Sequence, residues 1–387
     1  MTATRRIALA WYGYGYLREA VLIYPVYAIM IGEHGVDALQ LSLLFIVWAG
    51  SALLFEIPAG LLADRYSRKW LLVLSGMIKG TTFIVWWMQP DFTGYLLGFV
   101  IWGAGSSLVS GTAEAYLYDA LRAHDAANEF ARIYGRGMAA NSLGIATALA
   151  SGGYLAESGY GWPLALSIAA PWGSAALAAI ALREPPRRAR LQRTGFGEML
   201  AGAFGEIRAS RAIVRIVAMF ATLVTAYGVV DEYIGPLFNE KPGFDLGRVG
   251  LAYATVFAAR TIGMTFAHRL TLDSLRPIAG VFAVACGGLA LAPYAEGAAL
   301  VAAIAAYFTA SSAAEVRLQT RLQHEIAGAA RATVTSFAKM SEYACGTLFY
   351  LFIGALADAA SFQAALAATA LVTAAIAAAF AIVNRGL

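Results

Sequence analysis

Four stretches of this sequence are as long as a bilayer is thick and contain no charged residue. They cover residues 92–113, 137–156, 162–182 and 362–383. A helix that crosses the hydrocarbon core needs about 20 consecutive apolar residues. A helix is favoured there because hydrocarbon offers no partners to open backbone groups. With 60% hydrophobic and 13% charged residues and a mean hydropathy of +0.64, the composition excludes an ordinary water-soluble domain. The sequence therefore predicts an all-α membrane protein.

Hydropathy along the chain predicts twelve spanning helices in two halves. The approximate ranges are 7–31, 39–63, 70–88, 93–121, 131–156, 162–182, 212–238, 247–269, 275–294, 298–321, 332–356 and 362–383. We expect six-helix bundles at 1–182 and 212–387, joined by a basic linker at 183–211. Pro185 and Pro186 end the sixth span, and the linker arginines suit a cytoplasmic surface of anionic lipid better than a nucleic acid.

The orientation follows from the distribution of basic residues, because cytoplasmic loops retain Lys and Arg. One set of loops and the N-terminus carry Arg5, Arg6, Arg65, Arg68, Lys69, Arg122, Arg269, Arg276 and Arg331. The opposite loops carry Glu33, Asp37, Asp91, Glu157, Glu296 and Asp358, with Lys241 and Arg248 as exceptions. Both termini are therefore predicted to be cytoplasmic, in the inner membrane of a bacterium.

A degenerate internal repeat relates the two halves of the sequence. At an offset of 204 residues, Glu56, Asp64 and Arg65 correspond to Arg260, His268 and Arg269. At an offset of 201 residues, the segment 113–117 corresponds to 314–318. Duplication of a six-span unit explains both pairs, and the even number of spans leaves the two halves parallel.

The loop after the second span resembles the signature of the major facilitator superfamily, Gly-x-Leu-x-Asp-Arg-x-Gly-Arg-Arg/Lys. The matching positions are Gly60, Leu62, Asp64, Arg65, Arg68 and Lys69, with Ser67 where Gly is usual. The resemblance implies the fold of that superfamily, with a central cavity between the halves and alternating access. It also implies that Asp64 steadies the outward-facing state, whereas the basic residues of the motif either join that contact or only fix the topology.

The charges within the predicted spans agree with this resemblance. They are Arg18 and Glu19 in span 1, Glu56 in 2, Glu114 and Asp119 in 4, Arg136 in 5, Asp231 and Glu232 in 7, Arg260 in 8, Glu315 and Arg317 in 10, and Lys339 and Glu342 in 11. In the superfamily fold, spans 3, 6, 9 and 12 face lipid and the others line the cavity. Only Lys79 in span 3 departs from that division, and Asp119 is interpreted as a possible cap at the water interface.

The residues near mid-membrane form the predicted substrate and proton site. Glu19 can carry a proton in a cavity of low dielectric constant, or it stays paired with Arg18 or Arg260 and never titrates. Nearer the outer mouth, Asp231 and Glu232 are candidates for proton entry or cation attraction, with ordinary loop-proximal charges as the alternative. The four histidines lie at loops or span ends, so neither a metal site nor a cofactor is predicted.

A second group of charged residues lies in the inner half of the membrane. It consists of Glu56, Glu114, Arg136, Glu315, Arg317, Lys339 and Glu342. These residues are predicted to line the cavity and to form an inner gate of ion pairs when the cavity opens outward. Static packing pairs are the alternative.

The function predicted from these features is proton-coupled secondary transport of a small molecule, with export of amphipathic, cationic compounds favoured. The charged residues of the cavity-lining spans include eight acids and five bases, which favours cations. The sequence departs from the pattern of drug exporters, since span 4 carries Glu114 and Asp119 where an Arg is usual. Uptake or exchange of an organic anion at Arg260 is the alternative mode of transport.

A different class of function is a sensor or an enzyme that uses a transporter scaffold. The sequence contains no nucleophile elbow, zinc-ligand spacing or phosphate-binding glycine loop, so we predict that the chain is not an enzyme. No soluble output domain fits in the loops. The expected partners are the small-molecule substrate, protons and the lipid bilayer, without nucleic acid, and the resemblance implies a monomer.

Overall fold

The structure is a computed structural model that describes residues 3–110, 112–184, 210–272, 274–325 and 331–384. All regular secondary structure in these residues is helical. The chain divides into two compact units. Unit 1 contains Met1–Ala189 and Asp245–Leu251, and unit 2 contains Arg190–Phe244 and Ala252–Leu387. Most of the predicted linker, residues 185–209, lies outside the described residues.

Within the described residues, unit 1 is built from eight α-helices, a short 3-10 helix (Ala127–Glu129) and the first residues of a further α-helix. The eight are α1 (Ala3–Glu19), α2 (Tyr27–Glu33), α3 (Ala38–Arg65), α4 (Arg68–Met88), α5 (Phe92–Val109), α6 (Thr112–Arg122), α7 (Phe130–Ala156) and α8 (Gly161–Ala181). Within this unit α4 packs on α5 and α8, α3 packs on α5, and α1 packs on α7 and α8. Because α1 and α4 both pack on α8, residues distant in sequence, such as Arg18 and Lys79, meet at one site.

Unit 2 contains the remaining helices in the described part of the chain. They are α9 (Arg211–Met219), α10 (Thr225–Asp231), α11 (Ile234–Asn239), α12 (Leu246–Phe266), α13 (Leu275–Leu291), α14 (Gly297–Glu325), α15 (Arg331–Ala359) and α16 (Phe362–Val383). A π-helical segment, Phe220–Val224, connects α9 to α10. The main contacts are between α13 and α16, α13 and α14, and α15 and α16.

Ten of the helical segments in the described residues are long and apolar enough to cross a membrane. They correspond to ten of the predicted spans, namely those predicted at 39–63, 70–88, 93–121, 162–182, 212–238, 247–269, 275–294, 298–321, 332–356 and 362–383. Two of these are interrupted within their predicted length: α5 ends at Val109 and α6 begins at Thr112 within 93–121, and turns follow Asp231 within 212–238. The predicted span 131–156 is the continuous helix α7. Its most apolar stretch, residues 139–156, contains no charged residue, but Asn141 and several Gly and Ser residues lower its hydropathy.

The prediction of a continuous helix over 7–31 is wrong. The α1 helix ends at Glu19, and turns lead through Pro25 to α2. Proline cannot donate a backbone hydrogen bond, so it interrupts the helical ladder. The Ser167 hydroxyl accepts a hydrogen bond of 3.0 Å from the Ile23 N–H, which satisfies a donor that the interruption leaves open. A helix therefore stops immediately after the charged pair Arg18–Glu19.

Two glycines of α7 allow the chain around this interruption to approach closely. A Cβ atom at Gly144 would lie 2.4 Å from the Tyr16 carbonyl oxygen, and one at Gly152 would lie 1.9 Å from the Leu22 carbonyl oxygen. Both distances are shorter than van der Waals contact, so any larger residue forces the backbones apart. The glycines thereby fix how deeply α1 lies against α7.

Candidate functional site

Unit 1 contains an open cavity of about 310 Å³, which we call the unit-1 cavity. Its walls come from α1, α4, α5, α6 and α7. The aromatic and sulfur-containing part of the lining consists of Trp11, Tyr14, Tyr134 and Met138, and the charged part consists of Arg18, Glu19, Lys79 and Glu114. A mostly apolar wall with a few converging polar groups is typical of a small-molecule site.

At one wall of the cavity, two cations share the carboxylate of Glu19. Arg18 Nε lies 3.0 Å from Glu19 Oε1, and Lys79 Nζ lies 3.0 Å from Glu19 Oε2. The Tyr24 hydroxyl donates a third bond to Oε2 at 3.1 Å. We call Arg18, Glu19, Tyr24 and Lys79 the Glu19 cluster. Its formal charge is +1, because two basic groups surround one acidic group.

Lys79 is buried within this cluster and is 8% exposed. Its ammonium group also donates to the Arg18 carbonyl oxygen at 2.9 Å. The ammonium lies 5.4 Å from the ring centre of Tyr24 and 5.9 Å from that of Trp102, within the range of cation–π attraction. Since α1 ends at Glu19, the Arg18 carbonyl is available to Lys79. From the sequence, Lys79 was only an exception in a span expected to face lipid. A single charge in an otherwise apolar span was the one signal in the sequence that this residue has a specific role.

Asn141 of α7 holds Arg18 from the other side. In the amide orientation that satisfies both of its groups, Asn141 donates to the Gly15 carbonyl oxygen and accepts a bond of 3.1 Å from Arg18 Nη2. A Cβ atom at Gly15 would lie 3.2 Å from this amide, so the glycine leaves room for it. The guanidinium is therefore held between Glu19 and Asn141 at the cavity wall.

In unit 2, Arg260 forms its ion pair with Asp231, at 3.2 Å from Nη1 to Oδ2. The guanidinium also lies 5.1 Å from the ring centre of Tyr227. Ser312 of α14 donates to the Arg260 carbonyl oxygen at 3.0 Å. Of the two partners considered for Glu19 from the sequence, the structure places Arg18 against it, whereas Arg260 has an acidic partner of its own. Glu232 follows Asp231 in the turn after α10.

The predicted gate residues show few contacts with one another. Glu56 accepts a hydrogen bond of 2.8 Å from Ser110, and Glu114 accepts one of 3.2 Å from Tyr134. In the described part of the chain, no ion pair within 4.0 Å involves Glu56, Glu114, Arg136, Glu315, Lys339 or Glu342. One carboxylate oxygen of Glu315 is buried without a hydrogen-bond partner among the described residues. The gate of ion pairs predicted for the outward-open state, which also includes Arg317, stays a prediction.

The loop motif joins the end of α3 to the start of α4. The Ser67 hydroxyl caps α4 by accepting a bond of 3.2 Å from the Trp70 N–H, and it also bonds Glu184. Arg68 forms an ion pair with Asp119, so the interpretation of Asp119 as a simple helix cap is replaced by an α4–α6 bridge. The side chain of Asp64 lies outside the described residues. Of the remaining motif positions, Gly60, Leu62 and Arg65 lie at the end of α3, and Lys69 lies at the start of α4. The Lys69 ammonium is 5.2 Å from the ring centre of Trp70.

The sequence profile of the Major Facilitator Superfamily matches residues 12–349. The chain belongs to this superfamily. Its members are transporters and not enzymes, which confirms the prediction that this chain is not an enzyme. The chain is thus a multi-pass membrane protein of a family of secondary transporters for small molecules.

Similar proteins agree with this assignment. An uncharacterized MFS-type transporter, YxaM of Bacillus subtilis (strain 168), is 28% identical over 93 residues. That alignment covers 24% of this chain and 23% of the relative. Among solved structures, a bacterial homolog of the human lysosomal transporter Spinster is similar to this chain, with a TM-score of 0.76, 17% identity and coverage of 99% of this chain and 97% of the other.

Two further solved transporters share the fold. The nucleoside transporter NupG has a TM-score of 0.71 at 15% identity, covering 99% of this chain and 98% of its own. The POT family transporter PepTSo has a TM-score of 0.70 at 13% identity, covering 100% of this chain and 99% of its own. Identities this low establish the fold alone. They confirm the prediction of an all-helical membrane protein with the superfamily fold.

Proposed function

We propose that this transporter is proton-coupled and that its first unit binds the acidic group of a small organic solute. The charge of the Glu19 cluster carries this proposal, because Arg18 and Lys79 share a single carboxylate. One positive charge is left for a substrate anion, whereas a cationic substrate would meet repulsion at the same place. The geometry therefore favours the organic-anion alternative over the export of cations that the acidic surplus in the sequence suggested.

Proton coupling follows from competition for the two cations. A substrate carboxylate that contacts Arg18 and Lys79 displaces the carboxylate of Glu19. A carboxylate that loses its cations in a medium of low dielectric constant is stabilised by binding a proton. Anion and proton therefore bind together, and each raises the affinity for the other.

Joint binding is the condition for moving both solutes in one direction. For a solute that is a monovalent anion, one proton and one solute together carry no net charge, so the pH gradient alone supplies the driving force. For a solute without net charge, the membrane potential contributes as well. Each pH unit across the membrane is worth about 1.4 kcal/mol, which corresponds to about tenfold accumulation. With a more acidic exterior, this mechanism produces uptake of the anion.

The other predicted residues have supporting roles in this proposal. Asp231, Glu232 and Arg260 form the substrate- and proton-related site of unit 2. The inner gate comprises Glu56, Glu114, Arg136, Glu315, Arg317, Lys339 and Glu342, and the loop motif with Asp64 steadies one conformation. The protein works as a monomer in the bacterial inner membrane, with both termini in the cytoplasm and residues 183–211 as the linker between its two six-helix halves.

The test compares three probes that share one skeleton and differ in charge. They are N-acetylphenylalanine (anion), phenylalanine methyl ester (cation) and N-acetylphenylalaninamide (neutral). We expect the anion to raise the thermal stability of the purified protein more than the cation or the neutral compound does. A ligand at 100 times its Kd adds about 2.7 kcal/mol to the free energy of unfolding. Lys79→Met removes the surplus charge and should abolish most of the response. Stabilisation by the cation and not by the anion contradicts the proposal.

A matched lysine variant separates this effect from a general loss of charge. Lys241 lies in unit 2, where it donates to Gln363 at 2.9 Å and to a backbone carbonyl. Lys241→Met should lower the stability of the protein without ligand but leave the increase caused by N-acetylphenylalanine unchanged. Equal loss of the ligand response in both variants counts against a specific role for Lys79.

A further inference from the structure

A second charged group lines the unit-1 cavity, and the proposed function does not use it in binding. Glu114 of α6 is exposed to solvent and belongs to the lining of the cavity. Within the described residues, no basic nitrogen lies within 4.0 Å of its carboxylate. Its hydrogen bond comes from the Tyr134 hydroxyl at 3.2 Å. The cavity therefore holds a hydrogen-bonded carboxylate that has no cation.

The position of Glu114 in its helix explains only part of this arrangement. It lies in the first turn of α6, where a negative charge is stabilised by the helix dipole. That interaction acts along the helix axis and leaves the outward face of the carboxylate open to the cavity. A static role in packing would place this group against a basic partner. Asp119, also on α6, has such a partner in Arg68 of α4.

The two charged regions belong to the lining of one cavity of about 310 Å³, together with Tyr14 and Tyr134. Tyr134 donates a hydrogen bond to Glu114, and Asn141 of the same helix, α7, contacts Arg18. The positive Glu19 cluster and the negative Glu114 therefore face the same cavity. A volume of this size is at the lower end of the range for ligand pockets.

We infer that the transported solute is a small zwitterion, whose acidic group contacts Arg18 and Lys79 and whose ammonium group contacts Glu114. The aromatic rings of Trp11 and Tyr14 and the thioether of Met138 offer an apolar surface to the rest of the molecule. This inference rests on the proposed function for the acidic group, and it adds a recognition site for a basic group. Amino acids with an apolar side chain have the required chemistry.

The test adds phenylalanine itself, the zwitterion, to the three probes of the charge series. Binding is measured as the Kd of each probe for the purified full-length protein. We expect phenylalanine to bind about tenfold or more tightly than N-acetylphenylalanine, because it adds a charged hydrogen bond to Glu114. In Glu114→Gln this advantage should disappear, while N-acetylphenylalanine should bind at least as tightly as it binds to the wild type, because the variant removes a negative charge from the cavity.

A control variant and the remaining outcomes keep the two proposals separate. Glu129 forms an ion pair with Arg132 outside the cavity lining, so Glu129→Gln should leave all four Kd values unchanged. If N-acetylphenylalanine binds as tightly as phenylalanine, or if Glu114→Gln weakens both equally, the zwitterion inference is wrong and the anion proposal stands. If neither compound binds, or only phenylalanine methyl ester binds, the anion proposal itself fails.

Discussion

Replacing Glu19 by Gln leaves Arg18 and Lys79 next to each other without a carboxylate between them. Side-chain exposures of 21% for Arg18, 10% for Lys79 and 17% for Glu19 show that solvent screens this site only weakly. Removing one partner of a buried ion pair typically costs about 3–5 kcal/mol, because the remaining charge is uncompensated. We expect Glu19→Gln to lower the free energy of unfolding by about this amount.

The effect of Lys79→Met should depend on whether Glu19 is present. In the wild-type protein, Lys79 donates to Glu19 at 3.0 Å and to the Arg18 carbonyl at 2.9 Å. Each such charged hydrogen bond is worth about 1.5–3 kcal/mol, and Lys79→Met removes both. The substitution also removes the cost of burying an ammonium group, which is several kcal/mol and offsets most of that loss. Lys79→Met should therefore change stability by less than about 2 kcal/mol in the wild type. In the Glu19→Gln background it removes like-charge repulsion and should be stabilising by about 1–3 kcal/mol.

A double-mutant cycle measures this dependence. The four proteins are unfolded by denaturant in the same detergent, and the free energies of unfolding are compared pairwise. The prediction is that Lys79→Met stabilises the protein once Glu19 is replaced by Gln. If Lys79→Met has the same cost in both backgrounds, the two side chains do not interact, and the Glu19 cluster does not have the charge balance described above.

Three further predictions concern packing, capping and pH. Gly144→Ala should lower stability by about 1–3 kcal/mol, because its Cβ would lie 2.4 Å from the Tyr16 carbonyl oxygen, whereas Gly135→Ala on the same helix meets nothing within 4 Å and should cost nothing. Asp37→Ala should cost about 1 kcal/mol by removing the capping box with Gln40, and Asp37→Asn should retain most of the cap. Burial and the hydrogen bond to Glu33 raise the pKa of Tyr160 above its ordinary value of 10.0. The folded protein therefore holds the phenol proton more tightly than the unfolded chain, so this stabilisation is present below pH 10.0 and is lost as the pH rises. Above that pH, denaturant unfolding should show a smaller loss of stability with rising pH in Tyr160→Phe than in the wild type. Equal pH dependence of the free energy of unfolding in the two proteins would contradict this prediction.

The sequence predicted the class of fold well because membrane helices are long and apolar. Ten predicted spans reappear as helices that meet the length and hydropathy expected of a span. The interruption after Glu19 was missed because the residues of the turn are themselves apolar, so hydropathy continues through it. Pro25 was a visible signal, but proline also occurs within membrane helices such as α3 and α8, which continue through Pro58 and Pro171.

The candidate site was predicted in part. Arg18 and Glu19 were recognisable because charges within a membrane span are costly and are usually retained for a function. Lys79 is 60 residues from Glu19, and nothing in a single sequence relates the two positions. Its contact with Glu19 depends on the packing of α4 and α1 on the same helix, α8, and on the exact end of α1. From the sequence alone, Arg18 and Glu19 form a pair without net charge. The contact with Lys79 makes the charge of the cluster positive, so an organic anion replaces a cation as the favoured substrate.

The most direct test of the account is the number of protons that the protein takes up when an anion binds. N-acetylphenylalanine is added to the purified protein in a weakly buffered solution with a pH indicator, and the same experiment is done with Glu19→Gln/Lys79→Met. That double variant keeps the formal charge of the cluster at +1 through Arg18 and lacks the carboxylate that would be protonated. The account predicts uptake of about one proton per anion by the wild type and none by the variant, with anion binding retained in both. Anion binding without proton uptake by the wild type, or equal uptake by the two proteins, would contradict it.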